Sequence, residues 1–160
     1  EEAMKRIEEL VVSDRSSTML VCVQGTEEGE LCGEIYSCYL KDPIWFRGVG
    51  DLVLKLDEMC NWVGMPHATT DPRFLNLETE RRYREASSHH PQADRSNLTY
   101  TMDQIPFKQA LKAREVLIIY VKYRQFSSLQ GSIRGKITKG KVVNFRSALE
   151  LMRMISMIQL

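Results

Sequence analysis

The sequence lacks several features that would each indicate a particular class of protein. No apolar run approaches the roughly 18 residues needed to cross a bilayer, and no basic, apolar and small-residue sequence marks a signal peptide. The 160 residues carry a formal net charge of +1, so the totals favour neither a nucleic-acid coat nor an acidic tail. With 43% apolar residues, the composition is typical of a globular protein, and we expect a cytoplasmic one with no membrane partner.

Paired metal ligands are also missing from the sequence. The four cysteines are Cys22, Cys32, Cys38 and Cys60. No two of them form a C-x-x-C pair, and disulfide frameworks belong to small secreted chains with little core, so reduced thiols are expected. His67, His89 and His90 could ligate a metal, but adjacent histidines in a polar loop are more often exposed to solvent. We therefore predict neither a metal nor another cofactor.

Signatures of phosphate binding and catalysis are weak. Gly48 and Gly50 precede a predicted helix, but the P-loop and dinucleotide spacings are absent and Asp51 would repel an anion. The cysteines fall on predicted strands and the histidines in the connecting segment, so nothing indicates that a Cys/His or Ser/His/Asp set comes together. We predict no catalytic residue.

An internal repeat is the strongest pattern in the chain. Residues 20–24 (LVCVQ) align with 118–122 (IIYVK) at an offset of 98, which also places Gly33 on Gly131. Each copy continues with a second β-branched and aromatic segment and a third short one (IWF or VVNF), which predicts three strands per copy. One extra residue in a turn changes the offset to 99 for the remainder.

A helix is predicted after the third strand of each copy. In the second copy, Ser147 at the N-cap and Glu150 three residues later fit a capping box, and Gly48 and Asp51 hold the same places in the first. Apolar positions then recur at helical spacing, which indicates a helix packed on one side against a sheet. The aligned pairs are Val49 with Ala148, Leu52 with Leu151, Val53 with Met152, Leu56 with Ile155 and Met59 with Ile158.

These patterns predict an α+β fold of two β-β-β-α repeats related by a pseudo-twofold, within a single domain over residues 1–160. We call residues 18–62 the first unit and residues 115–160 the second unit. One such unit leaves exposed sheet edges and has too small a core, so the two should pair. Their sheets are expected either to join edge to edge or to pack face to face, with the sheet covered by the helices. Residues 63–114, the insert, are expected to be helical.

Within the insert, Asp71 before Pro72 predicts a helix over residues 72–86. A loop around the adjacent histidines and a second helix over residues 103–114 should follow. A short amphipathic helix is predicted over residues 1–10.

The run YRQFSSLQGSI followed by FRSALELMRMI resembles a small, uncharacterised bacterial domain family. In that family a Tyr-Arg-Gln strand, a Gln-Gly second strand and a Phe-Arg-Ser-x-x-Glu-Leu helix recur. The match spans about residues 116–158, and the first unit departs from it by lacking the Tyr-Arg-Gln and the serine cap. The resemblance implies a bacterial cytoplasmic protein and carries over no activity and no site residues.

The two units differ in charge. Residues 18–62 contain eight acidic and three basic side chains, a net −5, whereas residues 115–160 contain eight basic and two acidic ones, a net +6. A protein with oppositely charged halves can attract a second molecule of its own kind or bind two different partners.

Three functions fit these observations. The first is a non-catalytic binding or assembly module, because the second helix is apolar where the first is polar and its extra face would suit a homodimer. That face comprises Leu149, Met154, Met157 and Leu160. Cover by the insert is the alternative explanation for these residues.

The second function is nucleic-acid binding, because sheet aromatics flanked by cations can stack bases and neutralise phosphates. The candidate residues are Lys122, Tyr123, Arg124, Phe126, Arg134, Lys136, Lys139 and Lys141. The third is an enzyme or small-ligand site between the units. Arg47 and Arg146 are its candidate anion ligands, because both units place an arginine just before the helix cap and capping does not require one.

Overall fold

The structure is a computed structural model, and it describes residues 17–40, 42–88 and 112–160. Its elements are β1 (Thr18–Glu27), β2 (Glu30–Tyr36), β3 (Ile44–Arg47), α1 (Val49–Val63), α2 (Leu77–Ser88), β4 (Glu115–Tyr123), β5 (Gln130–Gly135), a 3₁₀ helix (Lys136–Thr138), β6 (Val143–Phe145) and α3 (Ala148–Ser156). The α+β class is confirmed. The helix predicted over residues 1–10, together with His89 and His90, lies outside the described residues, and so do residues 103–111 of the second predicted insert helix. Its last residues, 112–114, are described and form a turn and bend instead of a helix.

The six strands form one antiparallel sheet in the order β3-β2-β1-β4-β5-β6. At its centre β1 pairs with β4, and Leu20 lies opposite Ile118. The strands of the two units therefore join edge to edge, as an exposed strand edge requires. β3 and β6 are left as the outer edges of the sheet.

The main core lies between one face of this sheet and helices α1 and α3. Because side chains alternate along a strand, Val21 and Ile119 point to the helices while Leu20 points to the opposite face. Val21 and Ile119 are fully buried. Leu20, Cys22 and Tyr36 form a smaller buried cluster, so the middle of the second face is also removed from solvent.

Gly33 and Gly131 occupy crowded positions in the strands that flank the central pair. A Cβ added to Gly33 would lie 1.9 Å from the carbonyl oxygen of Cys22, and one added to Gly131 would lie 1.8 Å from that of Tyr120. Both distances are far below van der Waals contact. Only glycine allows the backbones to approach this closely.

Helix α2 begins five residues later than the sequence predicts, at Leu77 instead of residue 72. The reason is that Asn76, and not Asp71, caps it. The backbone N–H of Thr79 donates to Asn76 Oδ1 at 2.9 Å, and Thr79 Oγ1 donates to the Asn76 carbonyl at 2.9 Å.

Hydrogen bonds, and not apolar burial, hold α2 against α1. None of its residues is buried. Trp62 Nε1 donates to the Ala86 carbonyl at 2.9 Å, and Asn61 Nδ2 donates to the Tyr83 hydroxyl at 2.9 Å.

Helix α3 is shorter than the sequence predicts. It ends at Ser156, with Met157 at the C-cap, so Met157 and Leu160 follow the helix instead of lying on it. Ile158 donates its N–H to the Ile155 carbonyl at 3.0 Å and its side chain is buried, which turns the chain back onto the core. Within the described ranges, no helix combines the length and apolar composition needed to cross a membrane.

Candidate functional site

The two strand-to-helix corners have matching hydrogen bonds. The Arg47 N–H donates to Asp51 Oδ2 at 3.0 Å, and the Arg146 N–H donates to Glu150 Oε1 at 2.8 Å. The Glu150 N–H donates to Ser147 Oγ at 3.1 Å, which confirms the predicted N-cap. The predicted capping box is only half formed, because the Glu150 carboxylate accepts from the residue before the cap and not from the cap itself.

The side chains of the two arginines have different surroundings. Arg47 lies among the carboxylates of the β1–β2 turn, with Nε 3.4 Å from Glu30 Oε2 and an ion pair to Glu28. Arg146 is highly exposed and pairs with Glu150 at 3.1 Å. This hydrogen-bonded pair raises the pKa of Arg146 and lowers the pKa of the Glu150 carboxyl. Each predicted anion ligand is thus occupied by carboxylates, and the two belong to separate corners.

A groove of about 390 Å³ lies where the end of α1, the loop after it and α2 meet the end of β4. Its polar lining includes His67, Asp71, Tyr83, Arg84 and Ser87. Most of these residues belong to the insert, while α1 and β4 supply the floor. The groove therefore lies between the two units, but neither Arg47 nor Arg146 lines it.

Arg124 forms the floor of this groove and is only 4% exposed. Its Nε donates to the Pro66 carbonyl at 2.7 Å, and its Nη1 donates to Asn61 Oδ1 at 2.8 Å and to Asp57 Oδ1 at 3.2 Å. The guanidinium thus joins the second unit to α1 and to the insert. Because its Nε and Nη1 donors are used within the molecule and the side chain is almost wholly buried, Arg124 is not placed to contact a phosphate at the surface.

The loop after α1 also binds the turn between β4 and β5. The Thr69 N–H donates to the Arg124 carbonyl at 3.1 Å, and the Ser127 N–H donates to Thr70 Oγ1 at 3.2 Å. Phe126 and Ser127 have φ of 56° and 54°, a left-handed conformation that is unfavourable for an aromatic residue. Contacts from the insert therefore help to hold a strained turn in place.

The chemistry available in the groove does not include a reactive thiol. Burial raises the pKa of Cys60 to about 12, and this effect exceeds the opposing attraction of Arg124. A thiol that stays protonated is a poor nucleophile, so Cys60 serves as a packed side chain. Among the residues that the structure describes, no group of three or more His, Cys, Asp or Glu side chains is arranged to hold a metal ion.

The other predicted nucleic-acid ligands divide between the two ends of the β4–β5 hairpin. Lys122 and Tyr123 lie at one end, with Lys122 Nζ 5.2 Å from the Tyr123 ring centroid, and Phe126 lies in the turn beyond them. The remaining cations, Arg134, Lys136, Lys139 and Lys141, lie at the other end of β5 or after it. The five residue steps of β5 separate the two groups, which is about 17 Å. Nucleic-acid binding by these residues stays a prediction.

The predicted interface residues are largely uncovered. Leu149, Met157 and Leu160 are 55%, 74% and 45% exposed. Met154 is half-buried and packs against the main core. The aligned positions of α1 carry Gly50, Glu58, Asn61 and Lys55, so only the second unit presents apolar side chains here.

The Arg124 network is the feature that sequence reasoning missed. Asp57, Asn61 and Pro66 are 58 to 67 residues away from Arg124 along the chain, and no local spacing connects them to it. The chain matches no protein-family model, no curated protein and no solved structure.

Proposed function

We propose that the protein is a non-catalytic binding and assembly module that associates with a second molecule of itself through exposed apolar side chains of α3 and of the residues that follow it. The exposure of Leu149, Met157 and Leu160 carries this proposal. Apolar side chains left in water favour association, since burying them releases about 25 cal/mol per Å².

The proposal includes the predicted repeat, with two β-β-β-α units related by a pseudo-twofold. The strand order reads the same outward from β1 and from β4. Gly33 and Gly131 have matching close contacts, and both helix corners bind the arginine N–H. On this view, the second unit has acquired an apolar contact surface that the first unit lacks.

Charge favours a second molecule of this chain as the partner. The net +6 of the second unit and the net −5 of the first attract each other when the basic unit of one molecule faces the acidic unit of another. In a twofold dimer of this kind, the apolar side chains of each second unit lie against the acidic first unit of the partner, so the contact is made twice. Such association should weaken as salt is added, because exposed charges are screened.

Sedimentation of Met157→Glu tests the proposal. We expect the wild type to form a dimer and Met157→Glu to be a monomer of unchanged stability, because the carboxylate would be buried without a partner. Leu75→Glu is the matched control, since Leu75 is 96% exposed in the insert, and it should remain a dimer. A wild type that is monomeric at every concentration contradicts the proposal. Unchanged mass with lower thermal stability of Met157→Glu would indicate intrachain cover instead.

A bacterial, cytoplasmic setting belongs to the same proposal. The four cysteines Cys22, Cys32, Cys38 and Cys60 are free thiols. Free thiols are typical of a reducing compartment. When cells that express the protein are freshly lysed and the protein is denatured without prior reduction, an alkylating reagent should modify all four thiols.

The groove favours one second candidate function, the binding of a small polar ligand. Its lining combines the hydroxyl groups of Tyr83 and Ser87 with the charged groups of Arg84 and Asp71, which suits a ligand that carries both an anionic group and hydrogen-bond donors. Native mass spectrometry of the purified protein tests this candidate. A bound small molecule should be lost in Arg84→Ala and kept in Arg82→Ala, whose side chain does not line the groove.

A further inference from the structure

The two outer edges of the sheet are closed to different degrees. At β3, Lys55 Nζ donates to the Trp45 carbonyl at 2.6 Å and to Asp51 Oδ2 at 2.9 Å. Asp51 in turn accepts from the Arg47 N–H. Two outward backbone groups at this edge, the Trp45 carbonyl and the Arg47 N–H, therefore have side-chain partners from α1, and such cover hinders the pairing of a further strand.

At β6 the matching lysine is missing. Met154 stands at the position aligned with Lys55, and its thioether cannot donate to a carbonyl. Glu150 still binds the Arg146 N–H. Alternate residues of an antiparallel strand direct their backbone groups to the same side, so Asn144, two residues earlier, directs its N–H and C=O outward. Within the described residues these two groups have no partner.

The surroundings of this edge are exposed, apolar and basic. Val142 and Val143 are 58% and 37% exposed, and Asn144 is exposed too. Residues 136–156 contain five basic side chains and one acidic one, a net +4. Free backbone groups beside two exposed valines suit an extended peptide, and the charge selects an acidic one.

We propose that β6 accepts an extended segment of alternating acidic and apolar residues as a seventh strand. Its backbone pairs with Asn144, its apolar side chains contact Val143 on the helix side of the sheet, and its acidic side chains face the lysines near β6. A second β6 strand is a poor occupant, because it would bring Lys141 and Arg146 of two molecules together and like charges across a strand pair repel. The inference is independent of the proposed self-association, since it uses the sheet edge and a different partner.

Peptide titration of the full-length chain tests this inference. The probe is a fluorescently labelled peptide of about six alternating glutamate and valine residues, which is enough for a typical strand. Its binding is measured by fluorescence anisotropy and by the change in the amide resonance of Asn144. We expect saturable binding that shifts this resonance. A peptide in which lysine replaces glutamate, and one with a central proline that cannot pair, should not bind.

Two variants test the edge directly. Met154→Lys supplies the amine that Lys55 supplies at β3, and we expect it to weaken peptide binding at least tenfold, whereas Met154→Leu should bind like the wild type. Asn144→Pro removes the outward N–H without changing α3 and should weaken binding similarly. Circular dichroism establishes that each variant is folded.

Several results would overturn the inference. One is that the peptide does not bind; another is that it binds Met154→Lys and Asn144→Pro with the same affinity as the wild type. Alternatively, a single-stranded oligonucleotide displaces the peptide at low salt and shifts the resonances of Lys122 and Tyr123, which would assign the basic surface to nucleic acid. Peptide binding by monomeric Met157→Glu separates the inference from the proposed dimer, because either can fail without the other.

Discussion

The first and second units each pack a helix against their strands, but they expose different side chains at the edge of the sheet. In the first, Lys55 binds the Trp45 carbonyl and closes the edge strand. In the second, Met154 takes the aligned position and packs against the core, so the edge keeps free backbone groups. On the proposal above, this one side chain decides whether an edge of the sheet can pair, although β6 and α3 are also shorter than β3 and α1.

The positions that the units share are those the fold requires. Gly33 and Gly131 allow strands to approach, and Asp51 and Glu150 each accept the N–H of the arginine before the cap. Buried positions also differ, as at Val21 and Ile119, but there one apolar side chain replaces another. The interior of both units is therefore apolar and their helix corners have matching hydrogen bonds, whereas their exposed side chains differ in charge and polarity.

Among the changes that distinguish the two units, Arg124→Ala should lower the free energy of unfolding most. The aligned residue of the first unit, Thr26, is exposed, whereas Arg124 bonds to Pro66, Asn61 and Asp57. Removing one partner of a buried ion pair costs about 3 kcal/mol or more, and we expect the lower end because Asp57 is partly exposed. Urea unfolding measures this loss, and Thr26→Ala should change the free energy of unfolding little. A loss equal to that of the control would show that the network is not stabilising.

Gly33→Ala and Gly131→Ala test whether the two units are packed alike at these strands. Each added methyl group would meet a backbone carbonyl, of Cys22 or of Tyr120, so the strands must move apart, and overpacking of this kind costs about 1–3 kcal/mol. Thermal unfolding should show similar losses for both variants if the units are equivalent. Gly25→Ala is the control, because its Cβ would have open space. A loss in only one variant would argue against equivalent packing.

Alkaline unfolding should reveal a further difference, since the first unit holds all four cysteines. Burial raises the pKa of Cys22 and of Cys60 from 9.0 to about 12. The folded state therefore keeps protons that the unfolded state loses, so these thiols stabilise below pH 9 and their contribution is lost as the pH rises from 9 towards 12.

The loss amounts to about 1.4 kcal/mol per pH unit for each thiol. Cys22→Ala/Cys60→Ala should have a flatter dependence of the free energy of unfolding on pH above 9, measured by urea titration. An unchanged slope would contradict a contribution of these two thiols to the alkaline loss.

Local patterns in the sequence predicted the strands and the helix corners correctly. The second strand of the second unit was expected from QGSIRG and occupies Gln130–Gly135, and Ser147 caps α3 as expected. These features depend on side-chain alternation and on contacts within a few residues. They can be read from the sequence because their causes are local.

The sequence could not predict features that depend on distant contacts. Helix α2 begins after Asn76 and not at residue 72, because a reciprocal bond with Thr79 outweighs the Asp-Pro signal. Arg124 was grouped with surface cations, since its spacing in a basic stretch gives no sign of Asp57 or Pro66 beside it. The open edge at β6 could not be predicted either, because it depends on the strand order of the sheet and on the position of Lys55.

The attachment of α2 by hydrogen bonds, without a buried side chain, has a consequence for how this helix opens. The response of an opening reaction to denaturant scales with the surface it exposes. Release of α2 uncovers little, so its amide hydrogens should exchange through small fluctuations that urea barely affects. The main sheet, in contrast, should exchange only through openings that urea strongly promotes. Urea would then speed amide exchange in the main sheet much more than in α2.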